Sequence, residues 1–313
     1  MRISATVAAV SGALVLSALA APFAQADGSG PSKADVFQAA EAARQAASGK
    51  TAFAGSTAAD TGTPYALDVT FSGVKVNNGK PIVVGTTNKV TVPVTYTVTH
   101  AADVDLAAVD TWMDVEIYRG EYGDPVNGNI LIGDDWPVCT AASATVDTCK
   151  GTIDIYPTEE LTNADATSWK ALGYVIDWNE VDPFSDEDID WSQVGVAEQD
   201  ALATTKLQRF SKLTVNASPE PVKKGKTITV TGKLSRANWD TNKYAGYSTQ
   251  SVKLQFRKKG SSTYTTLKTI KTNTYGDLKT TVTASTDGYF RYSFAGTSTT
   301  PAVNATGDFV DVQ

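Results

Sequence analysis

Apolar residues recur at every second position from Tyr65 onward, and this period constrains the fold more than any other feature of the chain. The clearest stretch is NKVTVPVTYTVTH, in which valines and one tyrosine alternate with threonine and other residues over 88–100. Successive side chains of a β-strand point to opposite faces, so this pattern is typical of a strand with one buried face. The chain is therefore predicted to be all-β and built from antiparallel strands.

The alternating stretches fall into two sets that meet near residue 211. The first set is LDVTFSGVKV, NKVTVPVTYTVTH, TWMDVEIYRG, NILIGD, CKGTIDIY, SWKALGYVIDW and ALATTKLQRF. The second set is KLTVNA, KTITVTGKL, SVKLQFRKK, TYTTLKTI, LKTTVTAS, GYFRYSFAG and DFVDVQ. Because each strand buries one face, two packed sheets are the economical solution for each set. We predict one β-sandwich over 65–210 and a second over 211–313.

Net charge also divides the chain in two. Residues 27–210 contain 11 basic and 28 acidic side chains, whereas residues 211–313 contain 15 basic and 6 acidic ones. The lysines of the basic half are spread over turns and match no nucleic-acid-binding motif, so nucleic acid is not predicted as a partner. A solvated surface with some affinity for an anionic cell-wall polymer is the favoured interpretation.

The N-terminus has the pattern of an export signal. Met1 and Arg2 precede an apolar run rich in Ala, Val and Leu, and AQA at 24–26 supplies small residues for cleavage. We expect a signal peptide over 1–26 and a secreted, extracellular product without membrane insertion. Over 27–64 the sequence predicts one helix from Lys33 to Ser48, capped by Ser32 and Gly49, and then a linker. The helix is weakly hydrophobic, and the sequence leaves open whether it packs on the next domain or frays.

The two cysteines of the chain are predicted to form a disulfide. Export places Cys139 and Cys149 in an oxidising compartment, and nine small or polar residues lie between them. We expect the bridge to hold the base of a loop.

The C-terminal third resembles the immunoglobulin-like domains of secreted proteins from actinobacteria and related bacteria. The resemblance rests on an entry turn, a V-x-L-x-F strand and an Asp-Gly-Tyr turn, formed by Pro221, Val222, Lys223, Lys224, Gly225, Val252, Leu254, Phe256, Asp287, Gly288 and Tyr289. It implies two tandem immunoglobulin-like sandwiches, with an accessory, adhesive or spacer role and no catalytic residues. The first sandwich matches in strand pattern, and its Trp112 and Tyr174 would suit the core of such a fold.

Candidate chemistry is sparse. His100, the single histidine, ends a strand ahead of a loop with several aspartates, but no G-x-S-x-G motif accompanies it, so a surface or loop position is the default. Residues 177–190 carry seven carboxylates in fourteen positions, a composition that Ca²⁺ could use. The segment departs from an EF-hand loop, and its candidate ligands are Asp177, Asp182, Asp186, Asp188 and Asp190.

Six tryptophans raise the question of sugar stacking. Trp112 and Trp169 lie within predicted strands and are expected in the core. Trp136, Trp191 and Trp239 lie in predicted loops and are candidate exposed platforms for a glycan.

These observations favour a secreted, non-enzymatic protein for binding or adhesion at the cell surface. Its expected partner is an extracellular protein, a cell-wall polymer or a glycan. Two alternatives remain: a calcium-binding module that uses 177–190, and a secreted hydrolase or inhibitor with a C-terminal accessory domain. For an inhibitor, the segment between Cys139 and Cys149 is the candidate loop.

Overall fold

The structure, a computed structural model, describes residues 31–49, 61–124 and 126–313. The predicted signal peptide and most of the predicted linker lie outside these residues. Two compact units emerge from the contacts within the chain. Unit 1 comprises the described residues up to Lys80, with Thr91–Ile155 and Trp169–Thr205. Unit 2 comprises Pro81–Val90, Tyr156–Ser168 and Lys206–Gln313, and so takes in three segments that the sequence predicts for the first domain, 81–90, 156–168 and 206–210.

The prediction of an all-β chain with antiparallel sheets is confirmed. The described helices are α1 (Lys33–Ala47) and α2 (Pro157–Glu160). The strands of the first half are β1 (Tyr65–Ala66), β2 (Val69–Val76), β3 (Ile82–Val84), β4 (Val90–His100), β5 (Thr111–Arg119), β6 (Asn129–Leu131), β7 (Val138–Ser143), β8 (Val146–Ile155), β9 (Ser168–Asp177) and β10 (Gly195–Arg209). Those of the second half are β11 (Ser211–Leu213), β12 (Asn216–Ser218), β13 (Thr227–Asn238), β14 (Lys243–Gly246), β15 (Ser251–Lys258), β16 (Thr265–Lys271), β17 (Asp277–Thr283), β18 (Gly288–Phe294), β19 (Val303–Asn304) and β20 (Asp308–Val310).

Unit 1 contains two sheets that face each other. One has the order β2-β4-β8-β7, and in the other β1, β10, β9, β5 and β6 follow one another. A Cβ atom on Gly173 of β9 would lie 2.9 Å from the ring of Phe71 on β2, which shows how closely the two sheets approach. Two short pairings of β10 are parallel, with β1 at Tyr65 and with β3 at Ile82, the latter within unit 2.

Helix α1 covers the other face of the second sheet in unit 1. It begins as predicted, since Ser32 and Asp35 form a capping box, and it ends at Ala47, with Gly49 at a φ of 66°. Its apolar side contributes three residues, Val36, Ala40 and Ala43, to one buried cluster with Trp112, Tyr118, Leu172, Tyr174, Ile176, Trp178, Trp191, Val194 and Val196. The structure thus resolves the question that the sequence left open, because α1 is packed.

Strand β5 is consequently buried on both faces. Met113 and Val115 alternate with Asp114 and Glu116, and all four side chains are buried. Because side chains alternate along a strand, the two carboxylates share the face of Trp112 that α1 covers. Two acidic groups thus lie under a helix, in an environment that penalises their charged forms.

Arg44 of α1 supplies the charge that this face needs. Its guanidinium contacts Glu116 at 2.9 Å, Glu41 at 2.7 Å and Glu198 at 2.6 Å. Tyr122 accepts a hydrogen bond from Arg44 at 2.7 Å and donates one to Glu116, and its ring packs against the guanidinium. Burial by itself would lower the pKa of Arg44, but Glu116 and the other anionic groups raise that pKa well above its ordinary value.

Unit 2 is also built from two sheets. In one, β13 pairs with β11, β12, β14 and β17; in the other, the order is β16-β15-β18-β19 and β20 also pairs with β18. Inward residues of both sheets, among them Ile228, Val230, Leu254 and Tyr292, form one buried cluster. The hydroxyl of Tyr292 donates to the carbonyl oxygen of Val230 at 2.9 Å, so the polar atom of this core residue is satisfied.

The disulfide between Cys139 and Cys149 is confirmed, but it does not close the base of an open loop. The two residues lie directly opposite each other on β7 and β8, with their Cα atoms 4.0 Å apart. The intervening residues form a hairpin that turns at Ala144 and Thr145. The candidate inhibitor loop is therefore a paired hairpin, which the β-branched residues Thr140, Val146 and Thr148 favour.

Replacing both cysteines with Ala is expected to lower the free energy of unfolding by about 2 to 4 kcal/mol, because the bridge restricts the unfolded chain. Urea unfolding of the oxidised protein and of the double variant measures the difference. Reductant should shift the oxidised protein toward the double variant and leave the variant unchanged. Equal stability of the two proteins would contradict the prediction.

Among the described residues, no helix is long and apolar enough to cross a membrane.

Candidate ligand-binding cleft

A cleft of about 560 Å³ lies in unit 1 beside the disulfide hairpin. Polar groups from several elements reach it: His100 at the end of β4, Thr111 at the start of β5, and Ser143 and Asp147 of the hairpin. Trp136, which precedes β7, adds a large flat ring. An apolar surface with a few convergent polar groups is the usual composition of a small-ligand site.

His100 is fixed between two acceptors. Its Nδ1 lies 2.9 Å from the carbonyl oxygen of Ala101, and its Nε2 lies 2.9 Å from Oδ2 of Asp147. Both contacts are hydrogen bonds only when the ring is doubly protonated and both nitrogens donate. The side chain is 9% exposed, so the expected surface position is wrong: the pair with Asp147 holds the ring inside the cleft wall.

The two contacts of His100 decide whether its ring could act as the base in nucleophilic catalysis. A histidine that activates a hydroxyl or thiol needs one ring nitrogen free to accept its proton. In the only histidine of the chain, a carbonyl oxygen and a carboxylate occupy both nitrogens. The arrangement serves to hold the hairpin against the end of β4.

Trp136 is the one candidate platform that retains exposure. It is half-buried, and its ring centroid lies 5.9 Å from that of Trp112. Trp112 contacts in turn Trp178 at 5.1 Å and Phe184 at 5.9 Å. Trp136 therefore contacts one end of a row of aromatic rings and also lines the cleft.

The prediction of exposed platforms is wrong for the other two candidates, Trp191 and Trp239. Trp191 is 7% exposed and belongs to the cluster under α1. Trp239 is 2% exposed, and its Nε1 donates to the carbonyl oxygen of Gly85 at 2.7 Å within unit 2. Both were assigned to loops, and a loop residue can still fold its ring inward. The expected burial of Trp112 and Trp169 is confirmed.

The acidic segment 177–190 does not gather its carboxylates. No group of three or more Asp, Glu, His or Cys side chains in the described part of the chain is arranged to hold a metal ion. Three of the predicted ligands instead cap local turns: Asp177 accepts from the N–H of Asn179, Asp182 from that of Phe184, and Asp190 from that of Ser192.

These caps account for three of the seven carboxylates of the segment. The hydroxyl of Ser192 also donates to Asp190 at 2.6 Å, and these hydrogen bonds lower the pKa of the Asp190 carboxyl. Asp186 and Asp188 are exposed to solvent. Three of the five candidate calcium ligands therefore cap Asx turns, a role that aspartate fills without a metal.

Apart from His100, the polar residues of the cleft carry no direct signal in the sequence. Asp147 and Ser143 enter it through the pairing of β7 with β8, in which Cys139 lies opposite Cys149. Asp105 also lines the cleft, and its Oδ1 caps a turn through the N–H of Ala107 at 2.9 Å. Such convergence depends on long-range pairing, which local periodicity does not encode.

No protein-family model matches the chain, and no curated protein matches it. Among solved structures, the adhesin InvE of Yersinia pseudotuberculosis is similar at 13% identity and a TM-score of 0.23, over 77% of this chain and 58% of that one. The D00-D0 domain of intimin is similar at 14% identity and a TM-score of 0.25, over 77% of this chain and 99% of that one. The BSP domain of a biofilm-associated protein is similar at 8% identity and a TM-score of 0.24, over 81% and 53%. The chain spans little more than half of the first and third, and likeness at such TM-scores supports no inference about function.

Proposed function

We propose that the protein is a secreted, non-enzymatic binding protein that engages a glycan at the cell surface or in the extracellular matrix. The observation that carries the proposal is the cleft beside the disulfide hairpin, which the half-buried Trp136 lines together with polar side chains. The export pattern at 1–26 supports the location. In the same proposal, unit 2 is an accessory module of the immunoglobulin-like type found in secreted actinobacterial proteins.

The chemistry of the cleft suits a sugar ring. A sugar presents an apolar face of C–H groups, which packs on an indole ring, and a rim of hydroxyls, which hydrogen-bond to polar side chains. Asp105 and Asp147 are acceptors for such hydroxyls. Because Asp105 and Asp147 place two carboxylates in the lining of the cleft, a neutral or amino sugar fits it better than an acidic one.

The test is binding of the full chain to a panel of neutral, amino and acidic oligosaccharides, followed by titration calorimetry of those that bind. Trp136→Ala should weaken binding to a neutral or amino oligosaccharide by at least about tenfold. Tyr275→Ala is the matched control, because Tyr275 is 71% exposed and lies in unit 2. Its affinity should equal that of the parent chain.

A second variant tests whether a loss of binding in Trp136→Ala could come from a change in folding. Ser143→Tyr fills the cleft from the hairpin and leaves the aromatic row behind Trp136 intact, and it should also abolish binding. Unchanged affinity in both cleft variants would show that the glycan binds elsewhere. Turnover of any panel member would overturn the non-enzymatic assignment.

A further inference from the structure

We propose that the outer face of the β16-β15-β18-β20 sheet in unit 2 binds an anionic extracellular polymer through two stacked arginines. We define the arginine face as Arg257, Arg291, Gln255, Tyr264 and Tyr289. This site is separate from the cleft of unit 1, so it goes beyond the function proposed above. The ligand class is a flexible chain that carries repeated phosphate or carboxylate groups.

Strand pairing places these residues side by side. Gln255 lies opposite Arg291, and Arg257 lies opposite Tyr289, in the antiparallel pair β15-β18. Directly paired residues of an antiparallel ladder share a face of the sheet. Phe290 and Tyr292, which alternate with half-buried positions of β18, are buried in the core. The arginine face is therefore the side of the sheet away from that core.

Aromatic rings hold the two guanidinium groups. The Cζ of Arg291 lies 3.7 Å from the ring centroid of Tyr264, and that of Arg257 lies 4.1 Å from the centroid of Tyr289. Tyr264 is also 5.3 Å from Arg257, so this one ring contacts both arginines. Gly307 makes room for it, since a Cβ atom there would lie 2.3 Å from the hydroxyl of Tyr264.

Hydrogen bonds fix each guanidinium further and leave donors unused. Arg291 donates through Nε to Oε1 of Gln255 at 2.9 Å, and Arg257 donates through Nη1 to the carbonyl oxygen of Ser261 at 2.6 Å. A guanidinium has five N–H groups, so most of those on each arginine remain for a ligand. Its planar fork matches the paired oxygens of a phosphate or carboxylate.

Neither arginine has a carboxylate within ion-pair distance among the residues that the structure describes. The sequences of β15, β16 and β18 contain no Asp or Glu. Asp308 of β20 pairs with buried Phe290, and its side chain accepts from the N–H of Ala217. The nearest acid beyond the strands, Asp287, is engaged by the N–H of Val312 and by Lys259.

Exposed lysines extend the positive charge along the sheet. Lys253 precedes Gln255 by two positions on β15 and so lies on the same face, opposite Ser293. Lys271 of β16 pairs with Ser251, two further positions along the same side. A row of cations over three strands matches a polymer of spaced anions better than one small anion. The rings are engaged by guanidinium groups, which favours recognition of oxyanions over stacking of nucleic-acid bases.

The test is fluorescence anisotropy of the full chain with labelled polyphosphate, labelled polyglutamate and labelled single-stranded DNA at low and moderate salt. Polyphosphate and polyglutamate distinguish the two oxyanion sources. Arg257→Gln with Arg291→Gln should weaken binding to the preferred polymer by at least tenfold. Lys243→Gln with Lys279→Gln is the matched control, because both lysines are exposed on β14 and β17 of the other sheet and the change in net charge is the same.

The double variant Arg257→Lys with Arg291→Lys distinguishes specific binding by the two guanidinium groups from nonspecific attraction to positive charge. Lysine retains the charge but has no planar fork to stack on tyrosine, so this pair should also lose several-fold in affinity. Equal losses in the Gln pair and the control pair would overturn the inference, as would full affinity in the Lys pair. Tightest binding to DNA through the same arginines would overturn the polymer class. Trp136→Ala should leave polymer binding unchanged, which keeps this test independent of the glycan cleft.

Discussion

Replacing Arg44 with Met should lower the free energy of unfolding by about 3 to 5 kcal/mol, the usual cost of removing one partner from a buried ion pair. The carboxylate that remains, Glu116, is 0% exposed. Burial raises the pKa of Glu116, and Arg44 opposes that rise. Without the guanidinium, Glu116 must stay charged without its partner or take up a proton, and either state destabilises the packing of α1.

Chemical unfolding followed by tryptophan fluorescence measures this effect, because Trp112, Trp178 and Trp191 lie in the cluster under α1. Gln38→Met is the matched control, since Gln38 is exposed on the same helix. Arg44→Met combined with Glu116→Gln should recover much of the loss, because the unpaired charge is then gone. A single Arg44→Met variant as stable as the parent chain would show that the Arg44–Glu116 ion pair contributes little to the stability of unit 1.

A comparable effect should appear on changing pH, through Asp114. Burial beneath α1 raises the pKa of this carboxyl from 3.8 to about 7. The N–H of Val115 and the charge of Lys33 oppose the rise, and Glu116 adds to it. An acid with a raised pKa in the folded state binds its proton more tightly there than in the unfolded chain, so its contribution to stability is greatest below pH 4 and is lost as the pH rises toward 7.

Asp114→Asn should therefore become more stable than the parent chain as the pH rises. About three units of pKa shift at ~1.4 kcal/mol each give a relative gain of up to about 4 kcal/mol between pH 4 and pH 8. Unfolding of both proteins across this range measures it. Asp186→Asn, at an exposed position, should show no such trend relative to the parent chain. A difference between Asp114→Asn and the parent that stays constant with pH would contradict the assignment.

The strands could be predicted where burial alternates. β13 is an example, with Ile228, Val230 and Leu234 buried between half-buried or exposed positions. β7 was missed because VCTAAS is small and polar, and its six residues form a strand through pairing with β8. Alternation of apolar and polar residues indicates a strand with one face packed on a core. A strand that is held mainly by pairing with its neighbour therefore shows little of this alternation in its sequence.

The sequence contains a signal for the packing of α1 that hydrophobic periodicity alone does not reveal. Arg44 follows Val36 and Ala40 at intervals of four, which places a charge within the apolar stripe of the helix. On β5, Asp114 and Glu116 follow Trp112 by two and four positions, so all three side chains lie on the same face of the strand. Charges of opposite sign on two otherwise apolar faces indicate that those faces meet, whereas the hydrophobic pattern of α1 alone left packing and fraying equally open.

The calcium interpretation rested on composition and not on geometry. Composition counts carboxylates, but coordination requires that several point to one place. In 177–190 each of Asp177, Asp182 and Asp190 turns back to an N–H two residues ahead. Residue spacing cannot separate a ligand loop from a run of capped turns, because both use aspartate at short intervals.

Because α1 packs over β5, it determines where an independently folding fragment can start. A fragment beginning at Thr61 would contain every strand of unit 1 and yet present Trp112, Tyr174 and the carboxylate of Glu116 as bare surface. Such a surface is apolar enough to self-associate during expression. The N-terminal boundary for recombinant work therefore lies before Ser32, and the helix belongs to the sandwich as fully as any of its strands.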